Sequence, residues 1–207
     1  MADGDENLER LRPHKMYGYS KHLFDLHAKR KGRLDRIVGL KYFNVFGLNE
    51  GRKGELRSVV HKAFEQIRET GKVRLFKSAH PNYRDGEQRR DFLYVKDAVD
   101  ATIHLAFNPE ANGLFMGSGC ASTWIELVRP IFRELGLPVS IEFIDLPESL
   151  REKYQYYTRA DISRLRSTGW SGPRFTLDEA VMDYVGGYLV PGRSLESGSK
   201  VGDAMLS

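Results

Sequence analysis

The run RIVGLKYFNVFG, residues 36–47, constrains the fold more than any other part of the sequence. It is long, largely apolar, rich in valine, isoleucine and aromatic residues, and bounded by Gly47. Continuous apolar character of this kind is typical of strands in sheets that are covered on both faces. The run therefore predicts a strand buried within a sheet rather than an exposed edge strand.

Helix and strand patterns alternate along the rest of the chain. Apolar residues at helical spacing, together with stop signals such as Gly71, predict helices over residues 17–30, 56–71, 98–107, 123–136 and 176–189. Short apolar runs predict strands over residues 73–76, 91–95, 114–119 and 140–147. This alternation predicts an α/β fold, although it does not determine the strand order.

Several residues suggest where these helices begin or change direction. Thr176 with Glu179 three residues later forms a capping-box pattern, and Asp97 is a candidate N-cap. Pro130 lies inside the predicted helix 123–136 and is expected to kink or split it. We expect residues 1–15 to form an exposed lead-in, and the Gly/Ser-rich residues 191–207 to form a disordered tail.

Composition excludes several classes of protein. Hydrophobic residues make up 41% and charged residues 29% of the 207, which is typical of a globular chain. The net charge of +4 comes from interspersed charges, and no basic run interleaved with aromatic residues indicates nucleic-acid binding. No run reaches the length of a membrane span. The charge suits a local site for an anionic ligand.

Cysteine and histidine usage gives a further expectation about location and metals. Cys120 is the single cysteine, so neither an intrachain disulfide nor a site with several thiolates can form. The six histidines show no ligand spacing, so we expect no metal site. We expect a cytoplasmic protein, because a lone thiol fits a reducing compartment and no signal peptide is apparent.

The stretch MYGYSK places Tyr17 and Lys21 four residues apart on a predicted helix. Such residues share one face, so the ammonium group can lie beside the phenol and favour its ionised form. The pair could then take a proton from a substrate hydroxyl while hydride leaves the same carbon. On spacing alone, an ordinary surface pair is much the more common explanation.

Four motifs in order resolve part of this ambiguity. MYGYSK, GLKYFNVFG, RRDFLYVKD and LFMGSG resemble the Tyr-x-x-x-Lys couple, the Asn-Val-Tyr-Gly turn, the Arg-Asp-Phe/Tyr strand and the Gly-x-Gly stretch of the extended short-chain dehydrogenase/reductase family. NEGRKGELRSVVHKAFEQI, LFKSAHPNYRDGEQRRDFLYVKDA and YQYYTRADISRLRSTGW further resemble members that invert C6 of an ADP-linked heptose. The resemblance covers about residues 12–190.

The resemblance implies the C-terminal part of such an enzyme: an incomplete Rossmann sheet and a small α/β substrate domain. Residues 16–54 and 89–120 would form the remaining Rossmann-type elements, and residues 55–88 and 121–190 the substrate-binding lobe. The implied cofactor is NADP, with NAD as the alternative. The implied partners are a nucleotide sugar and a second copy of the chain in a homo-oligomer, with no nucleic acid and no membrane.

The resemblance also assigns catalytic and cofactor roles to particular residues. Tyr17 corresponds to the catalytic tyrosine and Lys21 to the lysine that assists it, and both would contact the cofactor. Lys53 would be the second acid/base, since inversion requires access to both faces of the carbon, and it would lie near the cofactor with Val45. Without the resemblance, Lys53 reads as a flexible loop lysine.

Eight residues match substrate-binding positions of the family: Asn44, Lys62, Phe76, Lys77, Ser78, Ala79, Arg90 and Tyr154. Each also has an ordinary reading. Asn44 could be a strand-end turn residue, Arg90 a solvated or ion-paired side chain, and Tyr154 a packed aromatic. Glu55 departs from the pattern, because some members have a substrate-binding serine there and a carboxylate suits a phosphate poorly.

The resemblance also implies that a cofactor-binding segment found in family members is missing from this sequence. Family members begin with a strand, a Gly-x-x-Gly-x-x-Gly turn and a helix, and the sequence contains no such segment before Tyr17. A truncated product and a short protein completed by another chain both remain open. For this chain alone we expect impaired activity, weak or no NADP binding, and an exposed strand at 36–46 unless a partner or dimer covers it. Two other functions also stay open: another nucleotide-sugar epimerase or dehydratase, and a non-catalytic remnant that binds a nucleotide sugar or a subunit.

Overall fold

The computed structural model describes residues 5–13, 16–151 and 154–194. Seven α-helices lie within these ranges: α1 (Met16–Arg30), α2 (Val59–Thr70), α3 (Val95–Ala106), α4 (Trp124–Glu134), α5 (Glu148–Arg151), α6 (Ser163–Ser167) and α7 (Leu177–Tyr184). Residues Asp5–Arg10 and Gly51–Leu56 form 3₁₀ turns, and Val185–Leu189 continue α7 as a π-helix. None of the described helices is both long and apolar enough to cross a membrane.

Eight short strands pair in four separate two-stranded sheets. They are β1 (Val38–Lys41), β2 (Val45–Phe46), β3 (Val73–Phe76), β4 (Arg89–Asp91), β5 (Leu93–Tyr94), β6 (Gly113–Met116), β7 (Ala121–Thr123) and β8 (Ile141–Ile144). The pairs β1–β6, β2–β5 and β3–β8 are parallel, and β4–β7 is antiparallel. The α/β prediction is therefore confirmed.

The apolar run at residues 36–47 forms two strands rather than the one predicted. β1 pairs with β6 and β2 pairs with β5, so the chain changes partners between Lys41 and Val45. The turn between them is held by Asn44, whose Nδ2 donates to the Asp91 carbonyl at 2.8 Å. All four β1 residues are only half-buried, so the prediction of a fully buried strand was wrong.

The main core lies between α2, α4 and α7. Its fully buried residues include Phe64, Ile67, Leu127, Ile131 and Val181. Phe46 and Tyr94 from the paired strands β2 and β5 belong to the same core, and their rings stack at 5.3 Å between centroids. A smaller core under α3 contains Leu105, Ile162, Leu165 and Trp170. We call the elements around the main core the helical lobe.

The capping predictions had mixed outcomes. Thr176 and Glu179 form the predicted capping box, and Thr123 forms another at α4, which continues through Pro130 without being split. The prediction for Asp97 was wrong, because α3 begins at Val95 and Asp97 lies in its first turn. The Asp97 carboxylate is buried and instead accepts from the backbone N–H of Arg174 at 2.9 Å.

The predicted lead-in is not wholly exposed. Residues Asp5–Arg10 form a 3₁₀ turn that packs on α1, and Leu8 is only 1% exposed. Glu9 pairs with Lys29 of α1 at 3.0 Å. The physical reason is that one apolar side chain in a polar segment is enough to dock it on a neighbouring helix. The predicted tail falls mainly on residues 195–207, which lie outside the described ranges.

Candidate active-site cleft

A cleft of about 620 Å³ lies between α1, β1 and β4 and the segment around residue 154. Among the predicted site residues it is lined by Tyr17, Lys21, Arg90 and Tyr154. The last two are at least 69 positions from the first two in the sequence, so the fold brings two predicted groups together. The remaining lining residues are Leu11, Arg12, Pro13, Gly18, His22, Asp25, Lys41, Leu150 and Gln155.

Helix α1 supplies the predicted proton-transfer pair to the cleft. The Lys21 Nζ lies 5.4 Å from the centroid of the Tyr17 ring, as the spacing of four residues predicts. Tyr17 is 77% exposed, so its side chain is open to the cleft and to solvent. A ligand in the cleft can therefore reach both side chains.

Arg90 supplies a buried cation on the opposite wall. Its guanidinium carbon lies 5.3 Å from the Tyr154 ring centroid and 5.9 Å from that of Trp124. Burial lowers the pKa of Arg90 from its ordinary value and raises that of Tyr154. An arginine held between aromatic rings with donors left over is suited to bind a phosphate or carboxylate.

The rest of the lining makes the cleft predominantly cationic. Among the described lining residues, the basic side chains are Arg12, Lys21, Lys41 and Arg90, and the one carboxylate is that of Asp25. Asp25 is buried and pairs with Lys41 at 2.6 Å. The surplus of positive charge favours an anionic ligand, and the volume lies in the range of ordinary small-molecule sites.

Asp91 is a structural residue that the sequence analysis did not single out. Its buried carboxylate accepts hydrogen bonds from the Ser118 N–H and Oγ, at 3.0 and 2.6 Å, and from the N–H groups of Gly119 and Ala160, at 3.0 and 2.9 Å. A Cβ at Gly117 would lie 2.4 Å from the Ala160 Cβ, which leaves no room for a larger residue. Asp91, in the Arg-Asp-Phe motif, thus fixes the Gly-Ser-Gly motif, residues 117–119. The sequence signal that could have pointed to Asp91 is its place next to Arg90 in that motif.

Four other predicted substrate residues, Phe76, Lys77, Ser78 and Ala79, lie at the end of β3. The Phe76 ring lies 6.4 Å from that of Tyr154, edge to face. Lys77 pairs with Asp145 at 2.9 Å, which raises the pKa of the lysine. The Ser78 N–H donates to Asp85 at 2.7 Å, and Ala79 is exposed. This segment adjoins the cleft through Phe76, although none of its residues lines the cleft.

The remaining predicted residues do not line the cleft either. Asn44 bonds to the Asp91 backbone, and Val45 lies in β2, paired with Leu93. Lys53 is exposed on the 3₁₀ turns Gly51–Leu56, which we call the Lys53 segment. Lys62 on α2 pairs with Glu55, whose carboxylate and carbonyl oxygens lie 3.1 and 2.5 Å from the lysine Nζ. The Lys62 hydrogen bond lowers the pKa of Glu55.

Comparison with known proteins assigns the chain to a class. Residues 2–114 match the model of the NAD dependent epimerase/dehydratase family, so the chain belongs to that family. Its fold is that of the extended short-chain dehydrogenases/reductases, with Rossmann-like parallel strand pairs.

Individual relatives within the family share one name. The chain is 52% identical over 190 residues to the ADP-L-glycero-D-manno-heptose-6-epimerase of Nitratidesulfovibrio vulgaris, covering 91% of this chain and 58% of that one. It is 40% identical to the protein of the same name from Fusobacterium nucleatum, with 89% and 58% covered. The chain thus spans less than two thirds of these relatives.

Solved structures agree on the fold. The Helicobacter pylori ADP-L-glycero-D-manno-heptose-6-epimerase superposes with a TM-score of 0.68 at 26% identity, covering 84% of this chain and 51% of that one. A UDP-N-acetylglucosamine 4-epimerase from Methanobrevibacter ruminantium gives 0.72 at 23% identity, with 88% and 56% covered. At that identity the second likeness supports the fold alone.

Proposed function

We propose that this chain carries the catalytic couple and part of the substrate site of an epimerase. The reaction is inversion of C6 in the heptose of ADP-D-glycero-D-manno-heptose, giving ADP-L-glycero-D-manno-heptose for lipopolysaccharide core synthesis. The observation that carries the proposal is the meeting of Tyr17 and Lys21 with Arg90 and Tyr154 in one cationic cleft. The relatives of 52% and 40% identity bear names of this activity.

The chain's own residues account for binding and for one proton transfer. Arg90 would bind a phosphate of the nucleotide sugar, and the Phe76 and Tyr154 rings would contact its apolar surfaces. Tyr17, assisted by Lys21, would accept the proton of the C6 hydroxyl as this secondary alcohol becomes a ketone, and return it later. Lys53 would serve the opposite face of the ketone, with Asn44, Lys62 and residues 77–79 as further substrate contacts.

The proposed cofactor is NADP, with NAD as the alternative. When bound, it would supply the oxidising group that accepts hydride from C6 and returns it to the other face. The cationic lining and the position of Lys21 beside Tyr17 fit an anionic dinucleotide with a ribose near the couple. Val45, Lys53 and the couple are the proposed contacts within this chain. Parallel fluorescence titrations with NADPH and NADH measure whether this chain binds either, and which more tightly.

The activity test is direct. The purified chain is incubated with NADP and ADP-D-glycero-D-manno-heptose, and the configuration at C6 is followed by NMR. Slow conversion to the L-glycero product is expected, since NADP should bind weakly to this chain, and it should be lost in Tyr17→Phe but retained in Tyr19→Phe on the same helix. Absence of both conversion and calorimetric binding of the nucleotide sugar contradicts the proposal.

Non-catalytic binding of a nucleotide sugar is the second candidate function. Two observations favour it. Lys53, the proposed second acid/base, is exposed and does not line the cleft. Lys62, a proposed substrate contact, is already paired with Glu55. Calorimetric binding of ADP-heptose without turnover, in the presence of NADP, would identify this alternative.

Two further properties belong to the same proposal. We place the protein in the cytoplasm, where Cys120 would stay reduced, and cell fractionation tests this. We also propose a homo-oligomer, because α1 exposes Met16, Leu23 and Phe24 on its surface. Sedimentation of the purified chain against Phe24→Ser measures whether these side chains contribute to association.

A further inference from the structure

A buried carboxylate lies at the base of the Lys53 segment. Glu50 immediately precedes the segment, and it is only 3% exposed. Its Oε1 accepts from the Gly47 N–H at 3.0 Å, and its Oε2 accepts from the Ser58 N–H at 2.6 Å. One carboxylate therefore joins the chain at the end of β2 to the N-cap of α2, on either side of the segment.

The surroundings of Glu50 make this clamp rigid. Hydrogen bonds from backbone N–H groups to an ionised carboxylate are short and strong, and an anion is favoured at the N-terminus of a helix such as α2. The Glu50 carbonyl also accepts from the Lys53 N–H at 2.9 Å, which sets the first turn of the segment. A Cβ at Gly47 would lie 2.2 Å from a Val95 methyl carbon, so the bonded backbone is close-packed.

Other hydrogen bonds to the segment come from side chains nearer the surface. Its turns are interrupted at Gly54, whose backbone is not helical. The Gly54 carbonyl accepts from Arg57 Nε at 2.7 Å, and the Glu55 carbonyl accepts from Lys62 at 2.5 Å. Both donors are long side chains that lie at the surface or half-buried. The Glu50 carboxylate, by contrast, is buried and bonds to the backbone on both sides of the segment.

We infer that Glu50 is a positioning residue, which fixes the Lys53 segment between β2 and α2 and so sets where the Lys53 ammonium can lie. The importance of that position rests on the proposed function, in which Lys53 is an acid/base. The clamp itself is a property of this chain, and it can be measured without any turnover.

Glu50→Gln in the full chain tests the clamp. The amide keeps the size of the side chain but leaves one acceptor oxygen for two N–H donors. Hydrogen exchange of peptides covering residues 51–57 should become about tenfold faster, while exchange in α4 stays unchanged. Glu69→Gln, at an exposed position on α2, is the matched control. Glu50→Asp keeps the charge but is too short to reach both donors, so it gives the same test if the amide variant folds poorly.

Turnover of ADP-heptose separates positioning from general support of the fold. With Lys53 displaced but Arg90 and Tyr154 intact, kcat should fall about tenfold while KM stays within about twofold. The inference is overturned if hydrogen exchange in residues 51–57 is unchanged, or if exchange becomes faster by the same factor across the whole chain. It is also overturned if kcat and the affinity for ADP-heptose fall equally. If the unaltered chain gives no turnover while the local exchange rises as expected, the proposed function fails and the clamp stands.

Discussion

Helices α4 and α1 are of similar length but lie in different surroundings. α4 buries Leu127, Val128, Pro130, Ile131 and Phe132 in the helical lobe. The buried residues of α1 are His22, Asp25 and Ala28, while large apolar side chains such as Phe24, at 65%, are exposed. The helical lobe is thus held by its own packing, whereas α1 borders an open cleft and carries the proposed catalytic couple.

The largest expected effect tests this contrast in stability. Phe132→Ala should lower the free energy of unfolding by about 3–5 kcal/mol, because the removed ring leaves a cavity in a close-packed core. Phe24→Ala, the matched change on α1, should alter it by no more than about 0.5 kcal/mol. Urea unfolding followed by circular dichroism measures both. Equal losses at the two positions would show that α1 is as well packed as α4.

For activity the contrast is opposite, because a substitution on α1 should matter more than one in the helical lobe. Tyr17→Phe removes one hydroxyl from an exposed ring, so the unfolding free energy should stay unchanged. Turnover should fall by about a hundredfold or more, since general acid–base groups contribute on that scale. The NMR assay of C6 configuration measures the loss, with Tyr19→Phe as the control. Retained turnover in the Tyr17 variant would remove the couple from the mechanism.

Arg90 lies where the two regions meet, and its substitution should affect binding. Arg90→Lys keeps a charge but loses the planar fork that lies over the Tyr154 ring. Calorimetric affinity for ADP-heptose should fall about tenfold, as expected for a lost charged hydrogen bond. Arg84→Lys, at an exposed position, should bind normally. Unchanged affinity in the Arg90 variant would mean that the phosphate binds elsewhere.

A smaller effect is expected at the edge of the helical lobe. Glu55→Ser removes the carboxylate that pairs with Lys62, while the bond from this lysine to the carbonyl at position 55 remains, so more of the lysine's charge is available to an anionic ligand. Because an exposed ion pair contributes little, the affinity for ADP-heptose should rise by no more than about fivefold. Glu87→Ser is the exposed control for calorimetry. A fall in affinity would exclude Lys62 as a phosphate contact.

The smallest effect concerns pH and the helical lobe alone. Burial lowers the pKa of His61, whose Nδ1 lies 2.9 Å from the Tyr184 hydroxyl. As the pH falls, His61 therefore binds a proton near pH 6.5 in the unfolded chain but only at a lower pH in the folded chain. Stability should be full above that pH and fall below it. His61→Gln should flatten this fall in urea unfolding between pH 8 and 5.5, and His27→Gln should not.

Much of the local structure could be predicted from the sequence. The end of α2 at Gly71, the strand Val73–Phe76 and the capping box of Thr176 follow from periodicity and end signals, which act over a few residues. The closeness of Tyr17 and Lys21 follows from helix geometry. Asp97 shows the limit of such signals, because its carboxylate binds a backbone N–H 77 positions away instead of capping its own helix.

By itself, then, the sequence determined the α/β class and the residue types available for chemistry, because hydrophobic spacing and caps act locally. The tertiary structure alone decided which of those residues meet. It brought Arg90 and Tyr154 to Tyr17, left Lys53 outside the cleft lining, divided residues 36–47 between two partners, and buried Glu50 and Asp91 as anchors. Carboxylates are normally exposed, so their burial depends on backbone N–H groups that the fold brings to them, such as those of Ser118 and Ala160 at Asp91.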